Sequence, residues 1–246
     1  MKYIFFDTET TGVLPEDRII QVASLSFDAT YYDSCLSANF LLDYKKHYEL
    51  CKSDKMPSIE SMEVNHITPE MLANKKYFID TDFYKNLCEL NSDENYLIAH
   101  NIDFDITMLK KEGFEPKYKL IDTYRCARHL FKDLAHHRLQ YLRYALKLYL
   151  LEEQSAKQLQ IDIKAHDAMG DVLILMLLFN EMLKVKNANE LYLLSKEAIF
   201  IDELKFGKYK GLKLSDVALK DRSYLDWLLK NSNDVDLLYS IKKVLQ

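Results

Sequence analysis

Several short segments have the hydrophobic pattern of β-strands. Lys2–Phe6 is a short, mostly apolar run followed at once by an acidic residue, which predicts a buried strand. Ile19–Phe27 alternates apolar with small polar residues and predicts a second strand. Ser37–Leu42 is expected to form a third strand paired with its neighbour, and Tyr96–Ala99 a further strand later in the chain.

Helical patterns follow these strands and then alternate with them. The predicted helices are Ser58–Val64, Asp80–Leu90, Asp103–Glu112, Thr123–Phe131, Arg138–Leu148 and Asp167–Lys184. A meander of strands followed by strand–helix alternation predicts an α/β domain whose mixed central sheet is flanked by helices.

The chain is expected to contain a main domain and a small appendage. We assign residues 1–184 to the main domain, 185–200 to a polar connector, and 201–246 to a small, mainly helical C-terminal extension. A unit of about 45 residues is near the lower limit for independent folding. We expect Trp227 to lie in the core of this extension and Tyr209 to lie on its surface.

Composition is that of an ordinary globular protein, with 48% apolar and 29% charged residues. The longest apolar run, Val172–Phe179, is far shorter than the roughly 20 residues of a membrane helix. The four cysteines are widely separated and show no zinc or disulfide spacing. We therefore expect a cytoplasmic protein with no membrane partner. The net charge of −5 argues against a generally basic surface, although basic residues cluster in residues 125–147 and 205–213.

An acidic pair follows the first predicted strand. Residues two apart on a strand share a face, so Asp7 and Glu9 are expected to present adjacent carboxylates. Two buried anions repel each other, and a divalent cation between them would remove that repulsion. Taken alone, this D-x-E sequence is better explained by a solvated turn.

Two more acidic clusters occur later in the chain. Asn101-Ile102-Asp103-Phe104-Asp105 follows the strand at 96–99, and His166-Asp167-Ala168-Met169-Gly170-Asp171 opens the most apolar helix. Either cluster alone is also explained as a helix start, with Asn101 as a cap and acids complementing the helix dipole. Asp103 and Asp105 compete for the functional position in the second cluster.

Taken together, the sequences D-x-E, N-x-x-F-D and H-x-A-x-x-D resemble the DnaQ-like exonuclease superfamily, specifically its histidine-bearing DEDDh branch. The resemblance implies a ribonuclease H-like fold. It also implies that Asp7, Glu9, Asp105 and Asp171 bind metal and that His166 is the general base. The position within N-x-x-F-D favours Asp105 over Asp103.

The C-terminal segment extends the resemblance. Phe206-Gly207-Lys208-Tyr209-Lys210-Gly211, followed by Tyr224-Leu225-Asp226-Trp227-Leu228, is similar to the C-terminal extension of the exodeoxyribonuclease X family. Proofreading subunits and ribonuclease T share the acidic motifs without this segment. The alternative is that the extension only packs against other residues.

The resemblance implies a chemistry. Two Mg²⁺ ions, for which Mn²⁺ can substitute, would serve a 3′–5′ exonuclease that hydrolyses terminal phosphodiesters of DNA and releases 5′-mononucleotides. A histidine suits the general base because it titrates near neutral pH. The expected partner is the 3′ end of single-stranded or duplex DNA, in DNA repair or turnover.

Substrate contacts are expected around the acidic motifs, in the basic segment and in the extension. We expect Val13, aided by Leu14, to stack on the terminal base, and Phe104 to line the pocket, where a core role is the alternative. The full set of expected substrate-binding residues is Thr8, Thr10, Val13, Leu14, Asn101, Phe104, Arg125, Arg128, Arg138, Lys208 and Lys210.

Three alternatives stay open at this point. An RNA 3′-trimming enzyme would use the same motifs, because they do not report on the 2′-hydroxyl. A polymerase-associated proofreading exonuclease is a second alternative. A catalytically silent nucleic-acid-binding module is the third, although it would have little use for clustered carboxylates. The sequence carries no signal for oligomeric state.

Overall fold

A five-stranded mixed sheet forms the centre of the computed structural model, which describes residues 1–35, 44–162 and 167–246. The strands in these ranges are β1 (Lys2–Thr10), β2 (Ile19–Asp28), β3 (Tyr44–Leu50), β4 (Tyr96–Ala99) and β5 (Lys119–Asp122). In the order β3-β2-β1-β4-β5, the first three strands pair antiparallel, whereas β4 and β5 join in parallel. The predicted mixed sheet is confirmed.

Helices cover both faces of this sheet. They are α1 (Ala29–Cys35), α2 (Ile59–Asn65), α3 (Pro69–Leu72), α4 (Asp82–Glu89), α5 (Ile102–Lys111), α6 (Thr123–Leu130), α7 (Leu139–Ala145), α8 (Tyr149–Leu159), α9 (Ala168–Leu183) and α10 (Ala188–Leu194). Helix α9 packs on β1 and β2 and is itself packed by α6, α7 and α8. Within the described ranges, every helix is too short or too polar to traverse a lipid bilayer.

Strand β1 separates two apolar cores. Tyr3 and Phe5 lie in the core shared with α9, whereas Ile4 and Phe6 lie in the core shared with α4 and α5. Each of these four side chains is at most 1% exposed. This explains why the first segment is apolar at consecutive positions rather than at alternate ones.

The strand that the structure describes beside β2 was not predicted from the sequence. The predicted segment Ser37–Leu42 lies outside the described residues, and the strand that pairs with β2 is Tyr44–Leu50. Strand β3 is at the edge of the sheet and has exposed Lys45 and Lys46. Lysines of this kind protect a sheet edge, and they also hide the strand from a hydrophobicity pattern.

The helix predicted at Arg138–Leu148 is two helices. Helix α7 ends at Ala145, Lys147 has a left-handed backbone with φ of 58°, and α8 begins at Tyr149. A left-handed residue cannot continue an α-helix, and a lysine gives no sequence signal for that conformation. The short strand β5 was also missed.

The first compact unit comprises Met1–Ser195. It includes most of the segment that we assigned to a connector, because α10 folds there. Asn187 and Glu190 form a reciprocal capping box at the start of α10. The side chain of Ser195, just after α10, accepts a hydrogen bond from the Asp122 backbone.

Residues Lys196–Gln246 form a second compact unit with its own core. Its helices are α11 (Leu214–Lys220), α12 (Arg222–Asn231) and α13 (Val235–Leu245). A bridge between Glu203 and Lys213 closes the loop before α11, in which Gly207 and Gly211 have positive φ. The predicted mainly helical extension is confirmed.

Two expectations for this unit were wrong. Trp227 is 55% exposed, and its ring stacks on that of Tyr224. Tyr209, which we expected on the surface, is only 8% exposed and donates a hydrogen bond to Asp221. The unit is filled by leucine, isoleucine and valine side chains around Tyr209, so its core does not need the tryptophan.

Candidate active site

Three carboxylates from two distant segments meet at one end of the sheet. Side chains alternate along a strand, so Asp7 and Glu9 continue the face of β1 that packs on α9. Asp171 lies in the first turn of α9. One carboxylate oxygen from each of the three residues lies within 4.8 Å of the other two.

Crowding and burial disfavour negative charge at this place. Burial raises the pKa of Asp7 well above its ordinary value, with further contributions from Asp105 and Asp171. Burial, reinforced by Asp171, raises the pKa of Glu9 to about 7, and a hydrogen bond with Asn65 opposes the rise. The cluster therefore holds its full charge near neutral pH only with a compensating cation.

A fourth carboxylate lies beside the cluster. Asp105, in the first turn of α5, is 4% exposed and accepts a 2.6 Å hydrogen bond from the Thr8 hydroxyl. Burial raises the pKa of Asp105 to about 7, and this hydrogen bond opposes the rise. The competing Asp103 is exposed to solvent. Asp105 is therefore the acid of the second motif that lies near the cluster.

The donor set fits hard divalent cations. Carboxylate oxygens suit Mg²⁺ and Mn²⁺ better than softer metals. Among the residues that the structure describes, Asp7, Glu9 and Asp171 are the one group with the spacing to share a metal ion. Asp105 is outside that group, although its charge acts on Asp7.

A cavity of about 590 Å³ opens beside Glu9. It is lined by several of the predicted substrate residues, namely Thr8, Thr10, Val13, Leu14 and Phe104. Val13 is 80% exposed and Leu14 is 55% exposed, whereas Phe104 is half-buried against the α4–α5 core. Two exposed apolar side chains and one half-buried ring thus surround the opening. Thr10 does not offer its hydroxyl, which donates to the Gly12 carbonyl.

Asp17 shapes the loop that carries Val13 and Leu14. Its buried carboxylate accepts hydrogen bonds from the Thr11 hydroxyl at 2.7 Å and the Leu14 backbone at 2.6 Å. A Cβ on Gly12 would lie 2.6 Å from Asp17 Oδ2, so this position requires glycine. Asp17 was not among the predicted site residues, although an acid five residues after Gly12 is a signal for an organised turn.

Helix α2 forms the other wall of the cavity and is fixed to the end of β1. The hydroxyl of Ser61 donates to the Thr10 carbonyl at 2.5 Å, and the amide of Asn65 donates to the same oxygen at 3.3 Å. Asn65 also interacts with the Glu9 carboxylate. Neither Ser61 nor Asn65 was among the predicted site residues.

The predicted general base, His166, lies outside the described residues. Its neighbour Asp167 is anchored by the Tyr48 hydroxyl and by the amide of Gln21 at 3.5 Å. The other end of the Gln21 amide accepts a hydrogen bond from the Ala168 backbone at 3.2 Å. Strands β2 and β3 therefore fix the start of α9, which carries Asp171.

The second motif is not arranged as an ordinary capped helix start. Asn101 has a left-handed backbone and makes no side-chain capping bond, while its N–H donates to Asp122. His100 bonds to the Thr123 hydroxyl and the His137 carbonyl, and burial lowers its pKa to about 4. His100 is thus a neutral structural residue near physiological pH, whereas the exposed Asn101 side chain is available to a ligand.

The predicted basic contacts differ in their availability. Arg125 Nε donates to the Ser195 carbonyl at 2.8 Å, which ties it to the end of α10. Arg128 stacks over the Tyr124 ring at 5.8 Å. Arg138, just before α7, is exposed. Only part of this predicted basic surface is therefore presented to solvent.

In the second unit, Lys208 pairs with Asp221 at 3.2 Å and lies over the Tyr209 ring. These contacts give Lys208 a structural role in holding the glycine-containing loop to α12. Lys210 is exposed.

A family model described as exonuclease matches residues 4–179, which contain all of the residues that build the carboxylate cluster. The chain belongs to the exonuclease family. A second model, described as exodeoxyribonuclease X-like C-terminal, matches residues 204–233 in the second unit. The resemblance seen in the sequence is confirmed in both units.

Two curated relatives illustrate the membership. DNA polymerase III subunit epsilon of Treponema pallidum is 30% identical over 190 residues, which cover 72% of this exonuclease and 74% of the relative. Exodeoxyribonuclease 10 of Escherichia coli is 26% identical over 247 residues, which cover 98% of this chain and 97% of the relative.

Solved structures share the fold. Exonuclease X in complex with 5′ overhanging duplex DNA matches with a TM-score of 0.54 at 19% identity, over 78% of this chain and 99% of that one. Exonuclease I of Escherichia coli in complex with a dT13 oligonucleotide matches with a TM-score of 0.53 at 17% identity, over 77% of this chain and 42% of that one. The expected fold class is confirmed.

Proposed function

We propose that this exonuclease is a metal-dependent 3′–5′ exodeoxyribonuclease that releases 5′-mononucleotides from DNA ends. One observation carries the proposal. Asp7, Glu9 and Asp171 bring their carboxylates within 4.8 Å of one another beside an open cavity, and Asp105 lies next to them. Repelling acids in this arrangement bind cations readily, and a cavity at their edge can receive the end of a strand.

The names of the relatives support DNA as the substrate. Exodeoxyribonuclease 10 aligns along nearly the whole chain, and the solved exonuclease X holds duplex DNA. The second unit supports a self-standing repair or turnover enzyme over a polymerase subunit. The polymerase relative aligns over 190 residues, whereas the C-terminal family model accounts for residues 204–233.

Asp7, Glu9 and Asp171 would hold two Mg²⁺ ions, with Asp105 supporting the second and Mn²⁺ able to substitute. When bound, the ions supply positive charge that activates a nucleophile and stabilises the leaving oxygen. Thr8 keeps Asp105 oriented and favours its ionised form.

His166 is proposed as the general base. A histidine takes up a proton near neutral pH, and the sequence places it one residue before Asp167. Tyr48 and Gln21 hold Asp167, the residue that follows this histidine in the sequence.

The 3′-terminal nucleoside is proposed to enter the cavity. Val13 and Leu14 are exposed at its rim and can contact a base, and Phe104 offers a ring edge fixed by the core. Arg138 and Lys210 are exposed, which suits phosphate contact. Arg125, Arg128 and Lys208 would contribute mainly by orienting their surroundings.

The test is a matched comparison of 5′-labelled DNA and RNA oligonucleotides of one sequence. With Mg²⁺, a 3′–5′ exonuclease gives a descending ladder of labelled DNA products, and EDTA stops it. A 5′–3′ enzyme would release the label at once as a mononucleotide. Asp7→Ala should abolish the ladder, because it removes a carboxylate from the centre of the cluster.

Three results would contradict the proposal. Faster degradation of the RNA would overturn the DNA assignment. Unchanged cleavage by Asp7→Ala would remove the assigned site. Activity with Zn²⁺ but not with Mg²⁺ or Mn²⁺ would overturn the choice of metal.

A further inference from the structure

A glutamine that none of the acidic motifs contains touches the carboxylate cluster. Gln140 lies in the first turn of α7, which packs against α9. Its Nε2 donates a 2.5 Å hydrogen bond to Asp171 Oδ1. Gln140 therefore touches one of the three proposed metal ligands.

The orientation of this amide is chemically determined. Asp171 can only accept when ionised, and the guanidinium of Arg143 can only donate. Gln140 Oε1 accepts from Arg143 Nη1 at 3.3 Å, which leaves the NH₂ group facing Asp171. If the amide turned over, its carbonyl oxygen would meet a carboxylate and its NH₂ would meet a cation.

Arg143 is itself held by a buried carboxylate. Its Nε and Nη2 donate to the two oxygens of Glu152, each at 2.5 Å, and Glu152 is 4% exposed. Planar two-point pairing fixes the guanidinium more firmly than a single bond would. Glu152 lies on α8, so a chain of contacts runs from α8 through α7 to Asp171.

We propose that Gln140, fixed by the Arg143–Glu152 pair, is a positioning residue that presents Asp171 to the metal ions. The inference rests on the proposed function, in which Asp171 is a metal ligand. The hydrogen bond from Gln140 restricts the orientation of the Asp171 carboxylate, one oxygen of which lies within 4.8 Å of oxygens of Asp7 and Glu9. Residues that orient a ligand in this way typically contribute about 10–100-fold to metal affinity or activity.

The decisive variant is Gln140→Met, which retains side-chain volume and removes both polar contacts. We expect Mn²⁺, measured by the loss of the free-ion signal in electron paramagnetic resonance, to bind about tenfold more weakly than to the wild type. In the nuclease assay, the Mg²⁺ concentration for half-maximal rate should rise about tenfold, while kcat recovers at saturating Mg²⁺. Gln154→Met, an exposed position on α8, is the matched control and should change neither value.

A second variant tests the supporting pair. Arg143→Lys keeps the positive charge but cannot form the planar two-point contact with Glu152, so it should weaken Mn²⁺ binding in the same direction. Gln140→Asn retains the amide and should recover part of the affinity lost in Gln140→Met. A uniform loss of melting temperature with wild-type Mn²⁺ affinity in the folded protein would assign Gln140 a merely structural role and overturn the proposal.

Asp171→Asn separates the two hypotheses. Wild-type Mn²⁺ affinity in Gln140→Met, together with weakened affinity in Asp171→Asn, would overturn the positioning role and leave the proposed function intact. Wild-type affinity in Asp171→Asn would remove the metal site itself and overturn both.

Discussion

Replacement of Glu9 by glutamine should stabilise the metal-free protein while it destroys metal binding. Burial and the charge of Asp171 raise the pKa of Glu9 from 4.5 to about 7. The folded protein therefore binds this proton more tightly than the unfolded chain, and stability falls as pH rises from about 4.5 through about 7. A glutamine side chain does not ionise, so the stability of the variant should not decrease in this way as pH rises.

The size of the effect follows from the same pKa values. The pKa of Glu9 rises by about 2.5, and each pKa unit corresponds to about 1.36 kcal/mol. Above neutral pH the folded protein is therefore destabilised by about 3 kcal/mol. Glu9 is only partly buried, so solvent screening reduces the expected gain in Glu9→Gln to about 2 kcal/mol. For a protein of this size, such a gain raises the melting temperature by about 4–8 °C.

The assay is thermal unfolding followed by circular dichroism at pH 5 and pH 8, with EDTA or with MgCl₂. Glu9→Gln should exceed the wild type at pH 8 in EDTA and approach it at pH 5, where the wild-type carboxyl is largely protonated. Mg²⁺ should raise the melting temperature of the wild type but not of the variant. Glu63→Gln, an exposed acid on α2, serves as the control and should show no such difference. A variant equal to or less stable than the wild type at pH 8 in EDTA would refute the electrostatic reasoning.

Further predictions concern the second motif, the loop and the second unit. Asp105→Asn should lower kcat by about a hundredfold or more because this buried acid lies beside the cluster, whereas Asp103→Asn changes an exposed side chain and should stay near wild type. The oligonucleotide assay compares them, and the reverse order would mean that the motif was misplaced. Gly12→Ala should destabilise the protein by about 1–3 kcal/mol in urea unfolding, since the new Cβ would lie 2.6 Å from Asp17; unchanged stability would show that this carboxylate moves freely. Trp227→Ala should cost little stability but weaken binding to long duplex DNA in fluorescence anisotropy, and unchanged binding would exclude this ring as a stacking surface.

The acidic positions could be predicted from the sequence because the resemblance to the exonuclease motifs selects them and local periodicity places them on strands and helices. The alternation of β1 places Asp7 and Glu9 on one face, and the first turn of a helix following a strand places Asp105 near the sheet edge. Carboxyl ends of neighbouring parallel strands lie at one edge, so β1 and β4 deliver two motifs to the same place. The third motif opens the most buried helix, which the apolar pattern identified.

The partners of these residues could not be predicted in the same way. Gln140 lies 31 residues from Asp171, and Thr8 lies 97 residues from Asp105. The sequence around Gln140 is that of an ordinary polar residue on a helix, and the sequence around Thr8 is that of an ordinary polar residue on a strand. Only the packing of α7 on α9 selects Gln140 for this contact.

The second unit shows the same division. The sequence identified the glycine-containing loop and the aromatic residues of the extension, and the helical composition was correct. Tertiary packing decided that Tyr209 is buried against Asp221 while Trp227 remains exposed. Hydrophobicity indicates which side chains can leave water, but the shape of the filled core decides which of them do.

The sequence alone thus determined the family, the strand and helix that carry the acids, and the carboxylates that we propose as metal ligands, because these depend on residue type and short-range spacing. The tertiary structure decided which carboxylates touch, how far their pKa values rise, and which neutral side chains orient them. Those properties arise from burial and from contacts between segments far apart in the chain, for which periodicity provides no signal.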